Sequence, residues 1–218
     1  MARKKILITG AEGQLGIALQ RILKDKFEVF PTDKIISELE GRINSKNLDI
    51  TEPGDVENTI KEINPDIIIN CAAYTDVDGS ERNKNLAHRV NVIGLNNLIN
   101  SSDKSTYIIQ ISSDYVFDGA NGPYNEEDPT YPINYYGKTK LEAENSLRGS
   151  RRKYLILRTN VLYCEDLFFK SNFFAWVYKS LENNKSISVV NDQISNPTYV
   201  SHLVEVIFLC IILNTEGI

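Results

Sequence analysis

The sequence predicts an α/β fold in which a doubly wound parallel sheet is covered by helices on both faces. Short apolar segments rich in β-branched residues alternate along the chain with segments of helical periodicity. The apolar segments carry hydrophobic residues at successive positions, so both sides of each strand are expected to be buried, as in a parallel sheet. A length of 218 residues suits one domain with a sizeable core, or one domain with a small appendage.

Strands and helices can be assigned in order along the chain. The predicted strands lie in KKILITG, KFEVFPTD, LDI (48–50), DIIINCAA, TYIIQISS and KYLILRT. The helix after the third strand is expected to begin with Thr51 as its N-cap and Pro53 in its first turn. One long helix is expected over SERNKNLAHRVNVIGLNNLINSS, with an inner side formed by Leu86, Val90, Ile93 and Leu98.

A glycine motif between the first strand and the first helix predicts a nucleotide site. Gly10, Gly13 and Gly16 have the spacing GxxGxxG. Glycine permits a tight turn and close approach of the backbone to a pyrophosphate at the helix N-terminus, which indicates a Rossmann-type, dinucleotide-binding sheet. Asp33 ends the second strand, where an acidic residue binds a ribose 2′-hydroxyl and favours NADH. Lys34 follows and could meet a 2′-phosphate, so NADPH stays open, as does a solvated turn role for Asp33.

The segment NYYGKTKLE, residues 134–142, lies on a helix expected to begin near Pro132. Residues four apart share a helix face, so Tyr136 and Lys140 meet whereas Tyr135 points elsewhere. A cation close to a phenol lowers its pKa, which would make this pair a tuned acid. The bare motif is equally compatible with two aromatics and two solvated cations on a surface helix.

The composition narrows the classes of function. A net charge of −5 and a pI of about 5.2 disfavour a nucleic-acid partner. The two histidines make a zinc site improbable, and three dispersed cysteines without CxxC spacing indicate a reducing compartment. We expect no metal and no membrane partner. Because there is no signal-peptide core, and the apolar run 203–213 is too short to span a bilayer, we expect a cytoplasmic protein.

Five motifs together resemble a known family. They are GxxGxxG from residue 10, NCAA at 70–73, ISSDYVF at 111–117, YxxxK at 136–140 and LRTNVLY at 157–163. Their order resembles the extended short-chain dehydrogenase/reductase family, and within it the dTDP-4-dehydrorhamnose reductase branch. That branch also includes the non-catalytic regulatory beta subunit of methionine adenosyltransferase. The resemblance covers essentially the whole chain.

The resemblance implies an NADH- or NADPH-dependent reductase of a nucleotide-linked 4-keto sugar. Tyr136 would be the catalytic acid, Lys140 would hold the nicotinamide ribose, and Ser113 would hydrogen-bond the substrate oxygen. Strand alternation sends the neighbouring Ser112 to the other side of the sheet. The motifs imply further cofactor contacts. The pyrophosphate would lie at Gly10, Gly13, Gln14, Leu15 and Gly16. The adenine would lie beside Asp49 and Ile50, and the nicotinamide near Ala72, Ala73 and Tyr74. The implied substrate positions are Thr75, Ser113, Asp114, Tyr115, Asn172 and Gln193, the last two also explicable as polar loop residues.

Three departures from the branch affect the expected substrate lobe. Val161 stands where the reductases commonly have tryptophan, Cys164 replaces a usual glycine, and the chain ends earlier than family members usually do. We therefore expect an NAD(P)-binding domain over 1–160 and a small, C-terminally incomplete substrate lobe over 161–218, interleaved with the last elements of the sheet. A homodimer is possible.

Two other functions remain open from the sequence. ISSDYVFDG and GKTKLE resemble the regulatory subunit as closely as the reductases, so a catalytically silent NAD(P)-binding subunit is the alternative. A sugar-nucleotide dehydratase or epimerase is the third reading. Dehydratases typically carry Asp-Glu at this point, whereas Asp114 is followed here by Tyr115.

Overall fold

The computed structural model describes residues 3–36, 45–164 and 173–218, which form a parallel α/β sandwich. The strands are β1 Lys5–Thr9, β2 Glu28–Asp33, β3 Lys46–Asn47, β4 Ile67–Asn70, β5 Tyr107–Ser113, β6 Tyr154–Thr159, β7 Leu162–Tyr163 and β8 Thr198–Tyr199. The helices are α1 Gln14–Leu23, α2 Pro53–Ile63, α3 Val77–Arg82, α4 Lys84–His88, α5 Gly94–Ser101, α6 Tyr135–Gly149, α7 Phe173–Glu182 and α8 Val200–Leu213.

Six strands form one sheet in the order β3-β2-β1-β4-β5-β6, and neighbouring strands are parallel. The order reverses between β1 and β4, so the predicted doubly wound fold is confirmed. A second sheet pairs β7 with β8 in parallel. Gly217 extends the large sheet by one bridge, because its carbonyl accepts from Ile156 and its N–H donates to Tyr154.

The hydrophobic core has two layers, one on each side of the sheet. Successive residues of a strand point to opposite faces of the sheet and so pack into different layers. Ile6 and Ile8 pack into the layer under α1 and α8, whereas Leu7 packs into the layer under α2, α5 and α6. All three are fully buried. This explains why the strands are apolar at successive positions, as the sequence indicated.

The third strand and the second helix differ from the prediction. β3 is Lys46–Asn47, so the strand predicted at 48–50 was wrong. The Asp49 carboxylate accepts hydrogen bonds from the Thr51 N–H and hydroxyl, which turns the chain at that point. Thr51 is therefore not the N-cap of α2; Glu52 occupies that position, and α2 begins at Pro53.

The predicted long helix is interrupted twice. It divides into α3, α4 and α5, with a break at Asn83 and a π-helical turn at Arg89–Ile93. A π turn inserts one residue into the helical repeat, so the inward face rotates. Leu86 and Ile93, predicted to face inward, are 44% and 38% exposed, whereas Leu98 is buried as predicted.

The region after residue 160 shares the core of the sheet. The inner residues of α8, including Leu203 and Ile207, belong to the same layer as α1. The division at 160 into a cofactor domain and a substrate lobe stays a prediction. Within residues 3–36, 45–164 and 173–218, no helix combines the length and the hydropathy that crossing a membrane requires.

Candidate active site

Three neighbouring strands of the sheet end at one edge, and the predicted site residues follow them. The glycine turn follows β1, Cys71 to Tyr74 follow β4, and a short 3₁₀ turn, Asp114–Val116, follows β5. Because these strands are parallel and adjacent, their carboxyl ends meet at the reversal of strand order. Ligands of open α/β sheets bind in the crevice at this point.

The glycine turn needs its glycines for steric reasons. Gly10 has a φ of +64°, and a Cβ there would lie 2.6 Å from the Ala72 nitrogen. A Cβ on Gly16 would lie 2.4 Å from the Gly10 oxygen, so helix α1 packs directly on the turn. The backbone is thereby drawn close to the end of β4.

The first turn of α1 fits a pyrophosphate. Its N-cap is Gly13, which offers no side-chain cap, and the first turn carries no acidic residue. Uncapped N–H groups at the positive end of a helix dipole attract phosphate oxygens. Gln14 and Leu15 were also predicted to contact the pyrophosphate. Leu15 is buried in the core. Gln14 is half-buried, and its side-chain oxygen accepts a hydrogen bond from the Cys164 thiol at 3.3 Å.

Asp33 lies beside the glycine turn and also holds it. Its Oδ2 accepts the Glu12 N–H at 3.0 Å, and its Oδ1 accepts the Ile35 N–H at 3.1 Å. A carboxylate oxygen has two lone pairs, so each oxygen can still accept from a ribose hydroxyl. Asp33 thus lies at the end of β2, as predicted, and also supports the glycine turn through its hydrogen bond with Glu12.

The two residues predicted near adenine differ in exposure. Asp49 is half-buried and pairs with the Lys34 amine at 2.7 Å. Burial would raise the pKa of Asp49, but the hydrogen bonds from Lys34 and Thr51 outweigh it and lower that pKa. Ile50 is 4% exposed, and a Cβ on Gly94 of α5 would lie 2.5 Å from its side chain, so Ile50 packs into the core.

The segment after β4 is fastened by a residue that the sequence did not single out. Ala72, Ala73 and Tyr74 are half-buried. Asn91, in the π turn, accepts the Tyr74 N–H at 2.8 Å and donates to the Tyr74 carbonyl at 3.3 Å. Its side-chain nitrogen also donates to Thr139 of α6 at 2.9 Å. No sequence pattern marks Asn91, because its importance depends on the irregular turn that carries it.

Tyr136 and Ser113 lie next to each other at the edge formed by the carboxyl ends of the strands. Both are buried, and Ser113 lies close enough to Tyr136 to influence the pKa of its phenol. The Tyr115 ring packs edge-on against Tyr136 with 5.7 Å between centroids. Burial raises the pKa of Tyr136 to about 12, and the nearby Ser113 opposes only part of that rise. The expected lowering of this pKa by Lys140 was therefore wrong, because removal of the phenol from water dominates.

Lys140 lies one helical turn from Tyr136 and is 4% exposed. Its amine donates to the Ile111 carbonyl of β5 at 2.7 Å. Burial lowers the pKa of Lys140 to about 8, against an opposing effect of Glu144. Tyr135 faces away: its N–H donates to Glu81, and Lys84 lies over its ring.

The predicted substrate positions are only partly brought together. Asp114 accepts the Ser113 hydroxyl at 3.0 Å, and burial raises the pKa of Asp114. Burial also raises the pKa of Tyr115. Thr75 and Gln193 are exposed. Asn172 lies outside the described residues.

Known proteins resemble this chain in sequence and in fold. The family model of the RmlD substrate binding domain matches residues 4–216. The chain belongs to this family. It is 38% identical over 207 residues to a dTDP-4-dehydrorhamnose reductase of Aggregatibacter actinomycetemcomitans, covering 93% of this chain and 66% of that protein. It is 35% identical to the spore coat polysaccharide biosynthesis protein SpsK of Bacillus subtilis, covering 93% and 68%.

Solved structures agree with the family assignment. The dTDP-4-dehydrorhamnose reductase of Bacillus anthracis, solved in complex with NADP, superposes with a TM-score of 0.88 at 37% identity, covering 100% of this chain and 73% of that one. The corresponding ortholog of Clostridium acetobutylicum gives 0.85 at 40% identity, covering 98% and 72%. The chain thus spans about two thirds to three quarters of the length of these relatives.

Proposed function

We propose that this chain reduces the keto group of a nucleotide-linked 4-keto sugar of the dTDP-4-dehydrorhamnose type, with NADPH or NADH as the reductant. The observation that carries the proposal is the buried Tyr136 phenol beside Ser113, with buried Lys140 one helical turn away, at the sheet edge where the glycine turn follows β1. The names of the family relatives support the substrate class.

Each of the three residues has a distinct role in this proposal. A nicotinamide cofactor, when bound, would supply the hydride for the sugar carbon. Tyr136 donates its phenolic proton to the carbonyl oxygen, and Ser113 hydrogen-bonds the same oxygen as charge develops on it. The raised pKa of Tyr136 keeps the phenol protonated and able to donate. Lys140 holds the ribose through its amine.

The remaining predicted residues fall on two sides of the proposed site. On the cofactor side, the glycine turn would receive the pyrophosphate, Asp33 the ribose, Asp49 and Ile50 the adenine, and Ala72 to Tyr74 the nicotinamide. On the sugar side, Thr75, Asp114 and Tyr115 would contact the substrate from the sheet edge. Gln193 and Asn172 would reach the sugar nucleotide from the segment after β7. A homodimer stays a prediction, which light scattering of this chain would test.

The test is oxidation of NADPH and NADH with dTDP-4-dehydrorhamnose, compared with keto sugars on other nucleotides. The proposal expects oxidation of the cofactor and a sugar product that has gained two hydrogen atoms, identified by mass. Tight cofactor binding without reduction of any keto sugar would instead support the silent-subunit alternative. Absence of both binding and turnover would overturn the cofactor assignment itself.

A further inference from the structure

Three consecutive residues of β5 each contact the inner stripe of α6. The stripe consists of Tyr136, Lys140 and Glu144, which lie four residues apart and are all buried. Lys140 donates to the Ile111 carbonyl at 2.7 Å, the Ser112 hydroxyl donates to Glu144 at 2.5 Å, and Tyr136 lies beside Ser113. Ser112 was expected on the other side of the sheet, but its hydroxyl faces the same helix as Tyr136. Tyr136 and Lys140, which have proposed roles in reduction, thus belong to the face of α6 that packs on β5. Glu144 belongs to the same face.

Glu144 is a fully buried carboxylate with a built set of partners. Arg158, next to Ser112 across the β5–β6 pairing, donates its Nε to Oε1 at 3.0 Å and one Nη to Oε2 at 2.7 Å. Such a two-pronged arrangement is the strong form of an arginine–carboxylate pair. A buried carboxylate without partners would be costly, and the hydrogen bonds from Arg158 and Ser112 offset that cost.

We propose that Glu144 and Arg158 form a positioning pair for Lys140, in which the buried carboxylate holds the Lys140 amine as an ammonium against the Ile111 carbonyl. The importance of the pair for reduction rests on the proposed function, but its action on Lys140 does not. The pair differs from a purely structural salt bridge because its two members should act on Lys140 in opposite directions.

The surroundings of Lys140 make Glu144 the relevant anion. Among the residues that the structure describes, the titratable groups that act on Lys140 are Glu144 from its own helix and the Cys71 thiol at the end of β4. Burial raises the pKa of Cys71 to about 12, so this thiol stays neutral around neutral pH. Glu144 lies one helical turn from Lys140 on the same buried face, and the two side chains bond adjacent residues of β5. The Glu144 charge therefore opposes the effect of burial, which favours the uncharged amine of Lys140. Arg158 balances part of the Glu144 charge.

Arg158 also connects the pair to the loop before α6. Its second Nη donates to the Glu126 carbonyl at 3.0 Å, and its guanidinium lies 5.1 Å from the center of the Phe117 ring. The Phe117 ring stacks on Tyr124 with 4.4 Å between centroids. The Arg158 side chain therefore bonds both to Glu144 of α6 and to the loop between β5 and α6.

The test measures the titration of Lys140 directly. The side-chain Cε signal of Lys140 is followed by NMR against pH in the ligand-free chain, and is assigned by its loss in Lys140→Arg. In Glu144→Gln the midpoint should fall by about one pH unit or more, because an attracting charge is removed. In Arg158→Gln it should rise, because Glu144 then acts unopposed. Glu142→Gln is the matched control: Glu142 lies on the same helix, is exposed, and pairs with His88.

The outcomes separate this inference from its alternatives. Equal midpoints in Glu144→Gln and Glu142→Gln, or shifts of the same sign in Glu144→Gln and Arg158→Gln, would overturn it. Should Glu144→Gln not fold, Arg158→Gln still gives the sign, and Glu144→Asp, which keeps the charge, should leave the midpoint unchanged. With the expected shifts but no keto-sugar reduction by the unmodified chain, the positioning pair stands and the proposed function fails.

Discussion

The cofactor region and the predicted sugar segment are built in contrasting ways. In the predicted cofactor region, residues 5–159, the site side chains lie on a buried parallel sheet and on the helical segments packed against it, and Tyr136, Lys140 and Asn91 are all buried. In the sugar segment, residues 173–199, helix α7 exposes a row of large apolar side chains. They are Phe173, Phe174, Trp176, Tyr178 and Leu181. Packing thus fixes the side chains of the first region, whereas the second presents large apolar side chains at the surface.

Substitution of the proposed acid should produce the largest effect. In Tyr136→Phe we expect keto-sugar reduction to fall by about 10²–10⁴-fold, because a positioned general acid contributes that much. The dissociation constant for NADPH should change little, since Lys140 remains. Steady-state kinetics and a fluorescence titration measure the two quantities. The neighbouring Tyr135→Phe is the control, and an equal loss of rate in that variant would contradict the assignment.

Matched leucine truncations test the contrast in packing. Leu95 on α5 is fully buried, whereas Leu181 on α7 is 66% exposed. We expect Leu95→Ala to lower the free energy of unfolding by about 2–5 kcal/mol, through lost burial and the cavity that remains. Leu181→Ala should lie within about 0.5 kcal/mol of the unmodified chain. Urea denaturation followed by circular dichroism compares them, and similar costs at both positions would show that the sugar segment is packed after all.

The contrast also explains which features could be predicted from the sequence. The doubly wound parallel sheet and the glycine turn depend on local patterns, namely apolar runs and residues without a Cβ, so they were identified correctly. The choice of Tyr136 over Tyr135 used helix geometry, and the two do face different ways. For the sugar segment, the sequence offered only polar loop residues, of which Gln193 is exposed.

The failures arise where tertiary structure overrides a local rule. The regular repeat placed Leu86 and Ile93 inward, but the π turn rotates that face. Nothing in the sequence announces such a turn, and Asn91, which it carries, went unnoticed for the same reason. The predicted effect of Lys140 on Tyr136 considered one neighbour, whereas burial of the phenol is a property of the whole surrounding structure.

Alanine at the first glycine of the turn should disturb the cofactor region specifically. Gly10→Ala places a Cβ 2.6 Å from the Ala72 backbone and strains a residue of positive φ. We expect a loss of about 1–3 kcal/mol in stability, together with weaker NADPH binding. Gly119 also has a positive φ, +77°, but no atom lies within 4 Å of its Cβ position. Gly119→Ala should therefore carry the conformational cost alone and bind NADPH normally. Calorimetry on both variants would reveal whether the close approach matters.

The smallest effect is expected at Asp33, where two roles have to be separated. The carboxylate holds the Glu12 N–H, so Asp33→Ala should weaken NADH and NADPH binding together by loosening the turn. Asp33→Asn keeps an acceptor oxygen and removes only the charge. Repulsion between a carboxylate and a 2′-phosphate at about 4 Å in water amounts to about 1 kcal/mol, so the ratio of the two dissociation constants should move about fivefold toward NADPH. An unchanged ratio in Asp33→Asn, measured by fluorescence titration with both cofactors, would mean that Asp33 supports the glycine turn without reading the ribose.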